Sequence, residues 1–381
     1  MRKCKSGPDG GEGSWSALVR TKRKRVTLAD VAAKAGVSVA TASVAITGRP
    51  SGNCRVSAEV AERIRAAARE LNYRPNIQAR NLSTQRTNIV AILIKRVAWQ
   101  NAMHFLAPIQ RLLRERGYVE TFMLHPDDQI ATEREQLEMC IERRVEGVIM
   151  LPLIDLQGRT NAELVNQIHR EEGIPVVQLG ITLPDCDAPS FISDDVEGVR
   201  SAVRLLHAMG HRRIAHITIP GYDKPDLLNP FRQAHLRYLG YSKGMAELGL
   251  SEMLFCSRDE CAELELLYDR GIESAQELLA ASPRPTAVIA CSDFTAAGVT
   301  KGLIGANARV PDDFSVLGVG DHRFARMLHP ALTTLAPQFE RMGALAAQTL
   351  LKMIDGGEGE SAALPPALLM RATVRSINHS E

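Results

Sequence analysis

The sequence predicts an α/β chain in two unlike parts: a small basic helical head, and a large body of mostly parallel sheet covered by helices. Three observations lead there. Residues 26 to 48, VTLADVAAKAGVSVATASVAITG, carry the caps and the apolar spacing of two short helices around a tight turn. From residue 88 onward, short β-branched runs alternate with longer helical patterns, the order of βα units. The charge is split as well. Residues 1 to 87 hold 17 Lys or Arg against 6 Asp or Glu, a balance of +11, although the whole chain has a net charge of only +2. A basic head on an acidic body suits a nucleic-acid reader whose other part does something else.

The head begins at Thr27, which can cap a first helix. Asp30 sits three residues on, beside the open N–H groups and the positive dipole end. Val31, Ala32 and Ala35 share one face, and Gly36 ends the helix where a left-handed residue is easiest. Ser38 caps a second helix that runs to Ile46. Ala42, Ala45 and Ile46 face inward, which leaves Val39, Ala40, Ser43, Val44 and Thr47 outward. This is the pattern of a helix-turn-helix, whose second helix enters the DNA major groove; an ordinary helical hairpin shares it. A third helix runs from Ser57 to about Leu71, with Val60, Ile64, Ala67 and Leu71 on one face. In the next stretch, LNYRPNIQARNLST, Pro75 can open a new helix. Asn76 to Leu82 is too short and polar to stand alone, so it needs a partner helix, a nucleic acid, or both.

Residues 1–25 read as a disordered basic tail. They lack an apolar core, so no secretory signal is expected, and no apolar run is long enough to span a membrane. The seven cysteines are scattered without a Cys-x-x-Cys pair, which fits a reducing cytoplasm and suggests neither a disulfide framework nor zinc. No cofactor or metal is expected.

In the body, the clearest strands are 88–94, 145–151, 174–179, 214–219, 286–290 and 314–319. Helical patterns lie near 104–117, 131–144, 161–172, 196–210, 233–248, 270–281, 293–306 and 338–355. So long a body implies two similar subdomains. It has no Walker loop and no GxGxxG after a strand. In open α/β sheets ligands bind at the carboxyl ends of strands. Ser292 and Asp293 follow one strand directly, and Asp321 follows another. Arg237 lies on a helix behind a long loop, four residues before Tyr241. Lys95, Trp99 and Asn101 follow the first strand, where Trp99 could stack on a sugar ring. Plainer roles compete: Asp293 could cap a helix, Arg237 could pair on the surface, and Trp99 could simply pack.

The string TLADVAAKAGVS…TASVAITG…RVS…LNYRPN…AR.L resembles the head and hinge of the LacI/GalR family of bacterial transcription regulators. MGHRRIAHI, PTAVIACSDFTAAGV, RVPDDFSVLGVGD and HPALTTL extend the resemblance to residue 375. It implies a helix-turn-helix DNA-binding domain at 26–73, a hinge helix and linker at 74–86, and a two-lobed, periplasmic-binding-protein-like core of parallel sheets at 87–381. It also implies a cytoplasmic homodimer on a near-palindromic operator, with operator affinity set by a small polar effector, a saccharide, held between the lobes. Thr27, Ser38, Thr41, Ser43 and Asn76 suit phosphate hydrogen bonds. Thr47, Tyr73 and Arg80 join them as DNA-contact candidates, and Leu82 would be a minor-groove wedge. Among effector candidates, Arg237 matches the family's gripping arginine, and Ser292 stands where an Asn is frequent. Gly320 stands where an effector-binding Asp is common, with Asp321 beside it, a departure from the usual monosaccharide or purine site. Val44 replaces an Arg that often follows Ser43. The face Val39, Ala40, Val44 therefore cannot make a bidentate contact with guanine; it offers methyl contact with thymine. The loop from Arg49 to Arg55 looks longer than in typical members. A periplasmic-type sugar-binding protein would share the core but would need an export signal and no basic head. An enzyme on this scaffold lacks support, since no nucleophile elbow, paired carboxylates or metal cluster occurs.

Overall fold

The structure, a computed structural model, describes residues 26–47, 56–74, 86–95, 99–125, 129–226, 228–229, 231–256 and 264–377. The tail expected at 1–25, the long loop 49–55, and the hinge candidates Asn76, Arg80 and Leu82 lie outside the described residues. The chain divides into two compact units, Met1–Arg86 and Thr87–Glu381.

The first unit holds α1 (Leu28–Ala35), α2 (Val39–Thr47) and α3 (Ala58–Glu70). They close on a core of Val31, Ala32, Ala35, Ala42, Ala45, Ala61, Ile64 and Ala67. Six of these eight are alanines, so the helices meet with little side chain between them.

The second unit contains two six-stranded sheets. The first is built from β1 (Ile89–Lys95), β2 (Val119–His125), β3 (Gly147–Met150), β4 (Val176–Leu179), β5 (Ser190–Ser193) and β11 (Ala362–Leu364). Its order is β11-β5-β4-β3-β1-β2, parallel throughout. The second comprises β6 (Ile214–Thr218), β7 (Met253–Cys256), β8 (Ala287–Ala290), β9 (Ser315–Val319), β10 (Thr333–Ala336) and β12 (Ala367–Leu369). Its order is β12-β10-β9-β8-β6-β7, with only β12 antiparallel. The central strands β1, β3, β4, β6, β8 and β9 are buried along nearly their whole length, as expected for sheets covered on both faces.

Helices α4 (Trp99–Glu115), α5 (Ile130–Glu142), α6 (Ala162–Arg170) and α11 (Phe339–Ile354) cover the first sheet. The second is covered by α7 (Asp195–Ala208), α8 (Arg232–Glu247), α9 (Leu264–Ala280) and α10 (Asp293–Gly305). Three connections pass from one sheet to the other: β5 to α7, β10 to α11, and β11 to β12. Each sheet has one point where strand order reverses. It lies between β1 and β3 in the first and between β6 and β8 in the second, and crevices outside such points are where α/β sheets bind ligands.

Candidate functional sites in the head and the core

In the head, Thr27 and Asp30 form a reciprocal cap. The Thr27 N–H donates to Asp30 Oδ2 at 2.8 Å, and the Asp30 N–H donates to Thr27 Oγ1 at 3.3 Å. Gly36 ends α1 at φ +64, the left-handed conformation that favours glycine. The turn then delivers Ser38, whose Oγ accepts from the Thr41 N–H at 3.1 Å and lies 2.8 Å from Thr41 Oγ1. This cap points the start of α2 outward: Val39 is 48% exposed and Ala40 is exposed beside it. Val44 departs from the expected outward face. It is only 9% exposed, because the packing of α2 against α1 and α3 buries more of the helix than the alanine face alone. Ser43 is half-buried, and the Thr47 side chain lies outside the described residues. Tyr73 packs half-buried against the head core, just past Asn72, which turns the chain at φ +50.

In the core, both strand-order reversals carry a cation held by a carbonyl of the neighbouring strand's loop. After β1, Lys95 Nζ donates to Pro152 O at 3.3 Å. Beside β6, Arg237 Nη1 donates to Cys291 O at 2.5 Å, and its Nε donates to Asp195 Oδ2 at 2.8 Å. Asp195 is 3% exposed and its other oxygen accepts from Ser193 Oγ at 2.6 Å, so the guanidinium is held in one orientation from the crossover β5 to α7. The Arg237 Nη2 has no protein partner among the described residues, and the side chain stays 18% exposed.

His216 lies beneath this arginine, fully buried, 5.1 Å from the Tyr241 ring and with Nδ1 on Ile289 O at 2.9 Å. Burial pushes its pKa down to about 4, and the nearby Arg237 charge adds to the effect, so the imidazole is neutral at pH 7. The Thr218 hydroxyl, at the end of β6, is buried without a protein partner among the described residues.

At the end of β8, Ser292 rather than Asp293 caps α10, with its Oγ accepting from the Thr295 N–H at 3.1 Å. Asp293 is wholly buried. Its Oδ1 accepts from Thr334 Oγ1 at 2.6 Å, and its Oδ2 accepts from the His322 N–H at 2.7 Å and lies 3.3 Å from His322 Nδ1. Both carboxylate oxygens of Asp293 are therefore engaged inside the protein. Asp321 pairs with Arg371, whose Nη2 reaches Asp321 Oδ1 at 2.6 Å. Gly320 has φ +136, and a Cβ there would fall 2.6 Å from His322 Nδ1. The imidazole fills the space a side chain at 320 would need, packed against Phe294 and Phe324.

Under the other lobe, Glu133 of α5 is buried with no exposed side chain. It accepts from the Leu153 N–H at 2.9 Å and from Asn161 Nδ2 at 2.8 Å, with His125 Nε2 at 4.0 Å. Desolvation pushes its pKa up to about 7, against those hydrogen bonds and the Lys95 charge.

Two sequence families fall on these units. Residues 27–76 match the family described as bacterial regulatory proteins, lacI family, and residues 203–374 match a periplasmic binding protein-like domain. The ribose operon repressor of Escherichia coli (strain K12) is 29% identical over 328 residues, covering 86% of this chain and 93% of that protein. Catabolite control protein A of Priestia megaterium is 28% identical over 334 residues, covering 87% and 93%. The lac repressor dimer bound to operator and the anti-inducer ONPF aligns with a TM-score of 0.74 at 25% identity, covering 92% of this chain and 99% of that one. The chain joins a lacI-family DNA-binding head to a periplasmic-binding-protein-like core. It is a DNA-binding transcription regulator, not an enzyme.

A second structure, the CelR–cellobiose complex, aligns with a TM-score of 0.60 at 26% identity over 92% of this chain and 100% of that one. The described part of the expected DNA face is Ser38, Val39, Ala40 and Thr41 at the start of α2 and Thr27 at the start of α1, with Ser43 half-covered and Val44 withdrawn. On the core, Arg237 and Ser292 meet around Cys291, while Asp293 and Asp321 are already engaged. Trp99 and Asn101 lie in the first turn of α4, not in a loop, and their side chains are outside the described residues. Sequence reasoning misses Asp195, His322, Glu133 and Arg371. None sits in a motif. Only Asp195, at the start of a helix pattern behind the run 190–193, has a local signal.

Proposed function

We propose that the chain is a homodimeric repressor whose affinity for a near-palindromic operator is set by a small polar effector between the two lobes of its core. The observation that carries the reading is Arg237: a guanidinium clamped by Asp195 at a strand-order reversal, with Nη2 unused among the described residues. The two sheets share three crossovers, so a ligand gripped on both lobes would bias their angle, and that bias is a coupling free energy to DNA binding. A saccharide is the class that the relatives' names favour, with a ribose operon repressor and a cellobiose complex among them. Dimerisation is supported by the edge strand β2, which exposes Val119, Phe122 and Leu124. In the hinge, Asn76 and Arg80 would meet phosphates and Leu82 from each chain would wedge the minor groove. The cell compartment proposed is the cytoplasm, with the DNA.

The test is a gel shift of the full chain against genomic fragments over a salt series, with residues 87–381 as comparison. The full chain is expected to shift a small set of fragments, with affinity falling steeply as salt rises, and the core alone to shift none. Equal binding by the core alone would refute the assignment of DNA contact to the head.

A further inference from the structure

We infer that the effector carries a negative charge: it is a small polar molecule bearing a carboxylate or a phosphate, not a neutral sugar. The inference rests on the proposed role of the cleft beside Arg237. A neutral polyol needs acceptors for its hydroxyl protons as well as donors, and buried carboxylates are the usual strong acceptors. At the crossover from β5 and at the ends of β8 and β9, each described carboxylate that follows the strand is already engaged inside the protein. Asp194 caps α7 through the Glu197 N–H. Asp195 holds Arg237 and Ser193. Asp293 holds Thr334 and His322 with no surface exposed. Asp321 is neutralised by Arg371 at 2.6 Å.

Gly320 contributes no acid, and none can be placed there while His322 holds its position, because a Cβ would fall 2.6 Å from the imidazole. The space is taken by the imidazole ring, with Nδ1 beside the buried Asp293 carboxylate. Meanwhile donors remain. Arg237 Nη2 has no protein partner among the described residues, and the buried Thr218 hydroxyl has none either. A fixed guanidinium with an open Nη edge, and no free carboxylate at those three strand ends, matches an anionic group better than a diol. Carboxylate and phosphate share that chemistry.

The experiment measures thermal unfolding of the full-length protein with matched probes: D-glucose, D-gluconate and D-glucose 6-phosphate, then D-ribose, D-ribonate and D-ribose 5-phosphate. Two fractions of a small-molecule cell extract, one retained by an anion-exchange column at neutral pH and one passing through, extend the search. The expected result is that only charged probes or the retained fraction raise the core's melting temperature. The aldonates against the sugar phosphates distinguish carboxylate from phosphate. Arg237→Lys keeps a charge beside Asp195 but loses the fork, and should bind the active probe roughly tenfold more weakly while folding normally. If a neutral sugar or the flow-through fraction shifts the melting temperature at least as far as the charged probes do, the effector cleft stands and the charge inference is overturned. If no probe and neither fraction shifts it, the effector reading falls together with the inference.

Discussion

Glu133→Gln should change how the stability of this protein depends on pH, because in the parent two buried groups contribute slopes of opposite sign and the variant keeps only one. Glu133 has a native pKa of about 7 against an ordinary 4.5, because burial penalises its charge. The native state then holds a proton that the unfolded chain releases. The associated stability is fully present below 4.5 and is lost as pH rises through 7. At ~1.4 kcal/mol per pH unit the loss comes to about 3 kcal/mol. His216 works the other way. Its native pKa is about 4 against 6.5, so its contribution is present above 6.5 and is lost as pH falls through 4. In the parent these slopes oppose each other between 4.5 and 6.5. In the variant the Glu133 slope is gone, and stability should rise with pH. Urea unfolding at about pH 5 and about pH 8 measures it: the variant-minus-parent difference should grow by about 3 kcal/mol between the two. The amide that replaces the carboxyl faces Asn161 at either pH, which shifts both points by a constant. A difference that does not change with pH would refute the placement of a desolvated carboxyl beside Leu153.

Three further outcomes are expected. Thr27→Ala removes the side-chain half of the reciprocal cap and should destabilise the head by about 1 kcal/mol, read from its own unfolding transition, with the core transition unmoved; a coupled loss in both would count against an independent head. Phe122→Glu puts a charge on the exposed apolar edge of β2 and should convert a dimer to monomer in sedimentation, with operator affinity falling alongside; an unchanged dimer would place the interface elsewhere. Leu82→Ala should weaken operator binding by roughly 1–3 kcal/mol while leaving random DNA nearly unaffected; equal weakening on both would argue against a wedge.

The head was legible because its signals are local. Thr27, Asp30, Gly36, Ser38 and Ser57 are caps or turn residues whose roles are fixed within three residues of themselves, and all of them act as caps or turn residues. The eight body helices were legible from their apolar spacing, and so were the buried central strands. Strand β2 was not. As an edge strand it exposes Val119, Phe122 and Leu124, so it lacks the continuous burial that marks a central one. Short strands such as β5, β11 and β12 exist through pairing with distant segments; Ser190 and Ser361, 171 residues apart, meet in one hydrogen bond. The candidate site was legible at Arg237, by its helix behind a long loop, and at Ser292, which follows a strand end directly. It was not legible at Asp195 or His322, whose partners are 42 and 29 residues distant and meet them only through the fold. Val44 differs from its expected exposure for the same reason: helical spacing gives a face, but the neighbouring helices decide how wide the buried part is.

The most direct measurement is a nuclease footprint of the full-length protein on a fragment recovered by gel shift. Two protected half-sites related by a dyad, about one helical turn apart, are expected from a dimer that places one α2 in each major groove. The protection should weaken or strengthen when the active small-molecule probe is added. A single asymmetric footprint, or one that no probe alters, would contradict a dimeric, effector-controlled reader of operator DNA.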